Sequence, residues 1–134
     1  MRALLLLILA GCSPACARSR VPMGDYRGIA VRVTPPLPQW LAGYAGAEVC
    51  SGIRGDVRLI RWHVVPGASF TVNGDAVIGY ADGLDIYLAE SGAGSVWLAR
   101  HEALHTLGYK HPHADSLVFR VRCRATWPTP SDTL

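Results

Sequence analysis

The segment at residues 101–111 constrains the fold of this chain more than any other, because it holds three histidines, a glutamate and a glycine at fixed intervals. Residues four apart lie on one face of a helix, so His101 and His105 can direct their imidazoles at one point. Gly108 accepts a positive φ and can end that helix abruptly. The returning chain would then bring His111 to the same point. The spacing predicts a helix, a sharp turn and a cluster of three imidazoles.

Three neutral imidazoles are a ligand set typical of a catalytic zinc, with a fourth coordination position left open. We therefore expect Zn²⁺ as cofactor and His101, His105 and His111 as its ligands. Glu102 lies about 100° around the helix from His101. From there its carboxylate can reach a metal-bound water without competing as a ligand. This arrangement predicts hydrolysis with Glu102 as the general base.

The filled pattern HExxHxxGxxH resembles the zinc motif of the metzincin metallopeptidases, and its continuation into Pro112 is most similar to the serralysin and matrixin branches. The resemblance covers roughly residues 26–111. It implies a mixed α/β fold, in which a small twisted sheet with an antiparallel edge strand lies beside a zinc-binding helix. It also implies that Glu102 is the base of a zinc metalloendopeptidase. The implied substrate-binding strand is residues 77–81, Val77-Ile78-Gly79-Tyr80-Ala81.

The chain departs from the metzincin pattern after the third histidine. The family has a methionine turn beneath the zinc, whereas the methionines of this chain are Met1 and Met23. No tyrosine follows His111 that could assist the metal as in some branches. We expect an apolar residue such as Val118 or Phe119 to form the floor of the site.

The N-terminus has the features of an export signal. Arg2 precedes an apolar run at residues 3–10, and small residues follow it. The triplet Ala15-Cys16-Ala17 fits ordinary signal peptidase, whereas Leu9-Ala10-Gly11-Cys12 is similar to a bacterial lipobox that would leave a lipid on Cys12. Residues 1–17 are thus the expected signal peptide and residues 18–134 one zinc domain. The exported protein would be a cell-envelope or periplasmic lipoprotein, or a secreted protein.

Two cysteines, Cys50 and Cys123, remain after the signal peptide. Thiols pair in an oxidising compartment, so a disulfide is the favoured prediction. A loop of that length would add about 4 kcal/mol to stability in the chain-entropy model. The alternative, in which both are zinc ligands, is weaker because neither lies in a CxxC pair.

Periodicity and turn residues predict the order of the elements. Ser95 is the expected N-cap of the motif helix and Gly108 its end. Asn73-Gly74 is expected to form a hairpin turn. The predicted strands are residues 26–33, 56–62, 70–72, 76–80 and 84–89, the predicted helices are residues 40–50 and 96–107, and residues 117–123 are expected to be a strand or extended cover.

Composition limits the remaining possibilities. A chain of 134 residues with 50% hydrophobic residues suits one compact domain. Its net charge of +3 comes from scattered arginines, so nucleic-acid binding is not expected. Membrane contact is expected only through a lipid on Cys12. Two functions besides peptide hydrolysis stay open: an exported zinc-binding or interaction protein without turnover, and a zinc hydrolase of a non-protein amide such as cell-wall material.

Three further polar residues have less specific patterns. His63 follows a predicted strand and is expected at the surface. Asp115 could hydrogen-bond a ligand imidazole or cap the next segment. His113 is expected in solvent, with stabilisation of an oxyanion as the less favoured alternative.

Overall fold

The computed structural model describes residues 26–110 and 115–125. These residues form a mixed α/β fold with short 3₁₀ turns and a final π-helix. Within them, no helix is both long and apolar enough to cross a membrane. The helices are Tyr26–Ile29 (α1), Pro38–Ser51 (α2) and Val96–Thr106 (α3), the strands are Val31–Arg32 (β1), Arg61–Val65 (β2), Phe70–Val72 (β3), Asp75–Val77 (β4), Gly79–Asp82 (β5) and Asp85–Ala89 (β6), and the π-helix is Leu117–Arg122.

The main sheet has four strands in the order β1-β2-β6-β5. The central strands β2 and β6 are parallel, whereas β1 and β5 run antiparallel to their neighbours at the two edges. The predicted α/β class and the antiparallel edge strand are therefore confirmed. Strands β3 and β4 form a separate hairpin, and its turn contains Asn73 at φ 51° and Gly74 at φ 94°. Both turn residues have the positive φ that Asn-Gly favours, as predicted.

Two apolar clusters cover the opposite faces of the sheet, because alternate strand residues point to opposite sides. Trp62 and Leu88 belong to the larger cluster, where Trp62 stacks on Trp40 of α2 with ring centroids 5.2 Å apart. Tyr87 belongs to the smaller cluster and meets Tyr26 of α1 edge to face. The larger cluster holds α2 and α3 against one face, and this packing fixes the position of α3.

Helix α2 approaches α3 closely at Gly43. A Cβ at this position would lie 2.7 Å from the Cβ of Ala99 and 2.8 Å from the carbonyl oxygen of Val96. Glycine weakens an isolated helix, but here it permits the contact between the two helices. The predicted helix at residues 40–50 is therefore present, and Pro38 at its start extends it.

Cys50 and Cys123 form a disulfide, as predicted, with Cα atoms 5.2 Å apart and a separation of 73 positions in the sequence. The bond joins the last turn of α2 to the residue that follows the π-helix. Because both sulfurs are bonded to each other, the alternative role of these cysteines as zinc ligands is set aside.

Four predicted strands differ from the structure, and one of them, residues 76–80, is divided between β4 and β5 at Ile78. Residues 26–29 form a helical turn closed by the Ala30 N–H on the Tyr26 carbonyl oxygen (2.9 Å), so only β1 remains of the first strand. Asp56 caps a 3₁₀ turn, which delays β2 until Arg61. The expected cover at residues 117–123 is a π-helix, in which the Cys123 N–H donates to the Val118 carbonyl oxygen five positions earlier (2.8 Å). The adjacent residues Val118 and Phe119 are both buried. A strand would direct adjacent side chains to opposite faces.

Candidate metal and hydrolytic site

Helix α3 carries the two described histidines of the motif, and both of its ends have the capping that the sequence predicts. The Ser95 hydroxyl accepts a hydrogen bond from the Leu98 N–H (3.1 Å) at the N-terminus. At the other end, Gly108 has φ 97°. Its N–H donates to the His105 carbonyl oxygen, and the Tyr109 N–H donates to that of Leu104. These two bonds are the Schellman motif, which turns the backbone of Tyr109 back along the helix.

The imidazoles of His101 and His105 lie side by side on one face of α3, with ring centroids 5.1 Å apart. His101 Nδ1 lies 2.5 Å from the Ala125 carbonyl oxygen, and His105 Nδ1 lies 2.9 Å from that of Tyr109. A carbonyl oxygen only accepts hydrogen bonds, so Nδ1 is the protonated nitrogen of each neutral ring. The lone pair of each ring is therefore on Nε2. This is the tautomer that a histidine needs to ligate a metal through Nε2.

Glu102 is almost fully buried, with 4% of its surface exposed. Burial raises the pKa of its carboxyl group to about 8, because the charged form is poorly solvated there. Gly79 of β5 lies beside this carboxyl group, since a Cβ at Gly79 would be 2.4 Å from Glu102 Oε1. The missing side chain at Gly79 thus makes the room that the carboxylate occupies. An isolated glycine in a strand pattern indicates such a close approach, but the sequence alone did not identify its partner.

A cleft of about 530 Å³ opens over these three residues of α3. The β3–β4 hairpin and β5 line one side, and the turn after α3 lines the other. A cleft of this size is in the usual range for a small-ligand or peptide site. The lining residues are Val72, Asn73, Asp75, Val77, Gly79, Tyr80, Ala81, His101, Glu102, His105, Tyr109 and Lys110.

Strand β5 presents its outer edge to the cleft. The Ala89 N–H donates to the Ile78 carbonyl oxygen (2.8 Å), so Ile78 is a position that bonds to the β6 side. Gly79 and Ala81 lie one and three positions after Ile78, opposite Leu88 and Ile86. Backbone groups along an antiparallel strand point alternately to the partner and away from it. The N–H and C=O groups of Gly79 and Ala81 therefore point away from β6. The expected substrate strand at residues 77–81 is divided, since β4 ends at Val77 and β5 begins at Gly79.

The aromatic ring of Phe119 lies against both imidazoles. Its centroid is 5.0 Å from that of His101 and 5.0 Å from that of His105, and the residue has no exposed surface. The sequence suggested either Val118 or Phe119 for this place. Phe119 is the one whose ring contacts the two histidines.

The remaining predicted site residues have different outcomes. His111 and His113 lie outside the described residues, although Lys110, the residue before His111, lines the cleft. In residues 26–110 and 115–125, no three side chains from His, Cys, Asp and Glu are grouped as a metal site. The set of three histidines therefore stays a prediction. The Asp115 carboxylate accepts a hydrogen bond from the Lys110 N–H (2.7 Å) and so holds the backbone at Lys110.

The sequence did not predict the environment of His63. This residue is largely buried in the sheet, and its Nε2 lies 2.8 Å from Asp85 Oδ1. Arg61 contacts the same carboxylate through two nitrogens. The expected surface position of His63 is therefore wrong. The contact depends on the register of β2 against β6, which a local pattern does not reveal.

The chain was compared with protein-family models, with curated proteins and with solved structures, and none of the three comparisons found a match. The geometry of the cleft and the chemistry of its side chains are therefore the basis for assigning a function.

Proposed function

We propose that this chain is an exported zinc-dependent metallopeptidase with a metzincin-like fold, which hydrolyses peptide bonds with Glu102 as general base. The observation that carries the proposal is the pair of imidazoles on α3. Backbone carbonyl oxygens hold Nδ1 of both His101 and His105, and both rings line one cleft with Glu102 between them in sequence. Fixed tautomers with Nε2 as the ligand atom are what a zinc site needs.

The donor set fits Zn²⁺. Imidazole nitrogens suit this ion, and His101 and His105 would hold it together with His111, the residue that follows Lys110 in the sequence. Zn²⁺ bound there would supply a Lewis acid for a water nucleophile and for the scissile carbonyl group.

The residues of the chain supply the other parts of the reaction. Glu102 would take a proton from the attacking water and then give it to the leaving amine. Its burial beside Gly79 keeps bulk water away from that proton. The outward N–H and C=O groups of Gly79 and Ala81 would pair with an extended peptide, as in the addition of a strand to a sheet edge. The antiparallel edge strand beside the motif helix supports the metzincin-like arrangement.

Export is the second part of the proposal. The disulfide between Cys50 and Cys123 suits an oxidising compartment. Residues 1–17, proposed as the signal peptide, lie outside the described residues. The protein would be secreted, or it would be held at the cell envelope by a lipid on Cys12.

The first experiment measures zinc per chain by atomic emission on purified mature protein. We expect about one zinc per chain for the wild type, because the three proposed ligands would form one site. His105→Ala should lose the metal. The matched control is His63→Ala, which removes a histidine already engaged by Asp85 and should retain zinc. A His105→Ala protein with full zinc content would show that the ligands are elsewhere.

The second experiment separates the three functional hypotheses with one protein preparation. Casein and a peptidoglycan fragment are incubated with wild type, with and without a chelator. Cleavage of casein that the chelator abolishes and added Zn²⁺ restores supports the peptidase. Cleavage of the cell-wall fragment alone assigns the site to a non-protein amide. Stoichiometric zinc without hydrolysis of either substrate assigns the chain to the zinc-binding proteins without turnover.

A further inference from the structure

Residues 115–125, which we call the C-terminal segment, contact both candidate ligands although they are distant from the motif helix in sequence. Phe119 packs its ring against His101 and His105 with both centroid separations at 5.0 Å. The Ala125 carbonyl oxygen accepts the Nδ1 hydrogen bond of His101. One segment therefore supports the two rings by packing and orients one of them by a hydrogen bond.

Backbone hydrogen bonds within the C-terminal segment connect its residues around the π-helix. The Ala125 N–H donates to the Phe119 carbonyl oxygen (2.6 Å), and the Cys123 N–H donates to that of Val118 (2.8 Å). The first of these bonds joins the two residues that contact His101. The backbone of Phe119 is therefore bonded to that of Ala125, the residue whose carbonyl oxygen holds His101.

Three attachments hold the C-terminal segment to the rest of the domain. The disulfide joins Cys123 to Cys50 in α2, the helix that packs along α3. The Cys123 carbonyl oxygen also accepts a hydrogen bond of 3.3 Å from the guanidinium group of Arg100, the residue before His101 in the sequence. At its other end, Asp115 accepts the N–H of Lys110. The disulfide is the only covalent link among these three attachments.

We propose that the disulfide-anchored C-terminal segment sets the metal affinity of the site, with Phe119 as the positioning residue for His101 and His105. The inference rests on the proposed function, because it assumes that the two histidines bind the metal. Phe119 would limit the rotation of both rings, because its own ring packs against each of them. Groups that orient metal-binding histidines typically change metal affinity by about 10- to 100-fold when they are removed.

The chain contains two phenylalanines, and this supplies a matched control. Phe70 is also buried, but it packs against Tyr26 in the smaller cluster and does not line the cleft. Phe119→Leu and Phe70→Leu remove the same atoms from the two cores. Leucine retains most of the buried volume, so both variants should fold, and circular dichroism verifies this before any titration.

Zn²⁺ affinity is measured by competition with a chromogenic chelator, and Co²⁺ serves as a second probe through its visible absorption spectrum. Phe119→Leu should weaken Zn²⁺ binding at least about tenfold and change the Co²⁺ spectrum, whereas Phe70→Leu should do neither. The double variant Cys50→Ala/Cys123→Ala, titrated at a temperature where it is folded, should also bind Zn²⁺ more weakly. Its control is Val121→Ala, an exposed position of the π-helix.

The outcomes distinguish this inference from the proposed function. If wild type binds no Zn²⁺, or if His105→Ala binds it equally well, the proposed function fails. If wild type binds Zn²⁺ through His105 but Phe119→Leu matches Phe70→Leu in affinity and in Co²⁺ spectrum, the positioning role is wrong. If Phe119→Leu shows the loss and a folded double cysteine variant does not, anchoring by the disulfide is overturned.

Discussion

Two carboxylates of this small domain lie in opposite electrostatic environments, although each has histidine neighbours. Asp85 lies in the sheet, where hydrogen bonds from Arg61 and from His63 hold the pKa of its carboxyl group at about 2. Glu102 lies beneath the cleft, where burial raises the pKa of its carboxyl group to about 8. None of the ion pairs within residues 26–110 and 115–125 involves Glu102.

The two carboxylates also differ in their position relative to the cleft. Asp85 is permanently ionised near neutral pH, and its bonds to Arg61 and His63 make it a structural group. Glu102 lines the cleft beside the proposed ligands, whereas Asp85 is not among the lining residues. We therefore expect loss of Glu102 to affect turnover and loss of Asp85 to affect stability.

The largest expected effect follows from replacing Glu102 by glutamine, which keeps the shape of the side chain and removes its basicity. Turnover of casein should fall by at least about a hundredfold, or about 2.7 kcal/mol of transition-state stabilisation. Zinc content should stay at the wild-type value because Glu102 is not a proposed ligand. Both quantities are measured on one sample of Glu102→Gln.

Asp85→Asn is the matched control for Glu102→Gln, since it makes the same chemical change in the other carboxylate. It should retain zinc and turnover under conditions where the protein is folded. Wild-type turnover in Glu102→Gln would mean that another group activates the water. Loss of zinc together with turnover would make Glu102 a structural member of the site.

The sequence predicted one of these two environments much better than the other. The α3 site follows from short-range rules, because the i, i+4 spacing of His101 and His105 and the positive φ of Gly108 are fixed within the helix and its turn. The cluster at Asp85 depends on strand register, which pairs Arg61 with Asp85 and His63 with Tyr87. That register brings together residues more than twenty positions apart, so no local pattern indicates it.

The same distinction explains what the sequence missed around the site. The Asn73-Gly74 turn and the disulfide follow from turn chemistry and from cysteine count. The carbonyl oxygen of Ala125 contacts His101 only because the C-terminal segment folds back over α3. Backbone groups carry no residue-specific pattern, and a contact of this kind depends on tertiary structure.

The second prediction concerns the stability that Asp85 contributes. Its pKa is about 2 in the folded chain and near 3.8 when unperturbed, so ionisation of Asp85 favours folding by about 2 kcal/mol at neutral pH. A depressed pKa stabilises the fold above the unfolded-state value and loses this effect as pH falls to the folded-state value. The difference in unfolding free energy between wild type and Asp85→Asn should therefore shrink from about pH 4 to about pH 2.

Urea unfolding over that pH range, with chelator present so that metal release does not contribute, measures this difference. Asp82→Asn is the control, because Asp82 pairs with Arg27 at the surface with both side chains about half exposed. Such an exposed pair contributes little to stability, because solvent screens the two charges. A difference for Asp85→Asn that stays constant down to pH 2 would show that charge pairing does not stabilise this cluster.

The third and smallest expected effect tests the wall beside Glu102. Gly79 has no positive φ that would require glycine, so alanine is compatible with its backbone. The new Cβ would lie 2.4 Å from Glu102 Oε1 and 2.9 Å from Leu98 Cδ1, which forces the carboxylate to move. Displacement of a catalytic group by about 1 Å reduces turnover substantially, and we expect about a tenfold fall in kcat, or about 1.4 kcal/mol.

Zinc content separates this effect from damage to the metal site. Gly79→Ala alters neither His101 nor His105, so its zinc content should equal that of the wild type while kcat falls. The backbone groups proposed to pair with substrate are retained, so KM should change less than kcat. Gly94→Ala is the control, because a Cβ at Gly94 has no neighbour within 4 Å. If Gly79→Ala keeps wild-type kcat while Glu102→Gln loses it, catalysis does not require the carboxylate to stay where Gly79 holds it. Glu102 would then differ from Asp85 in its burial but not in any need for a fixed position.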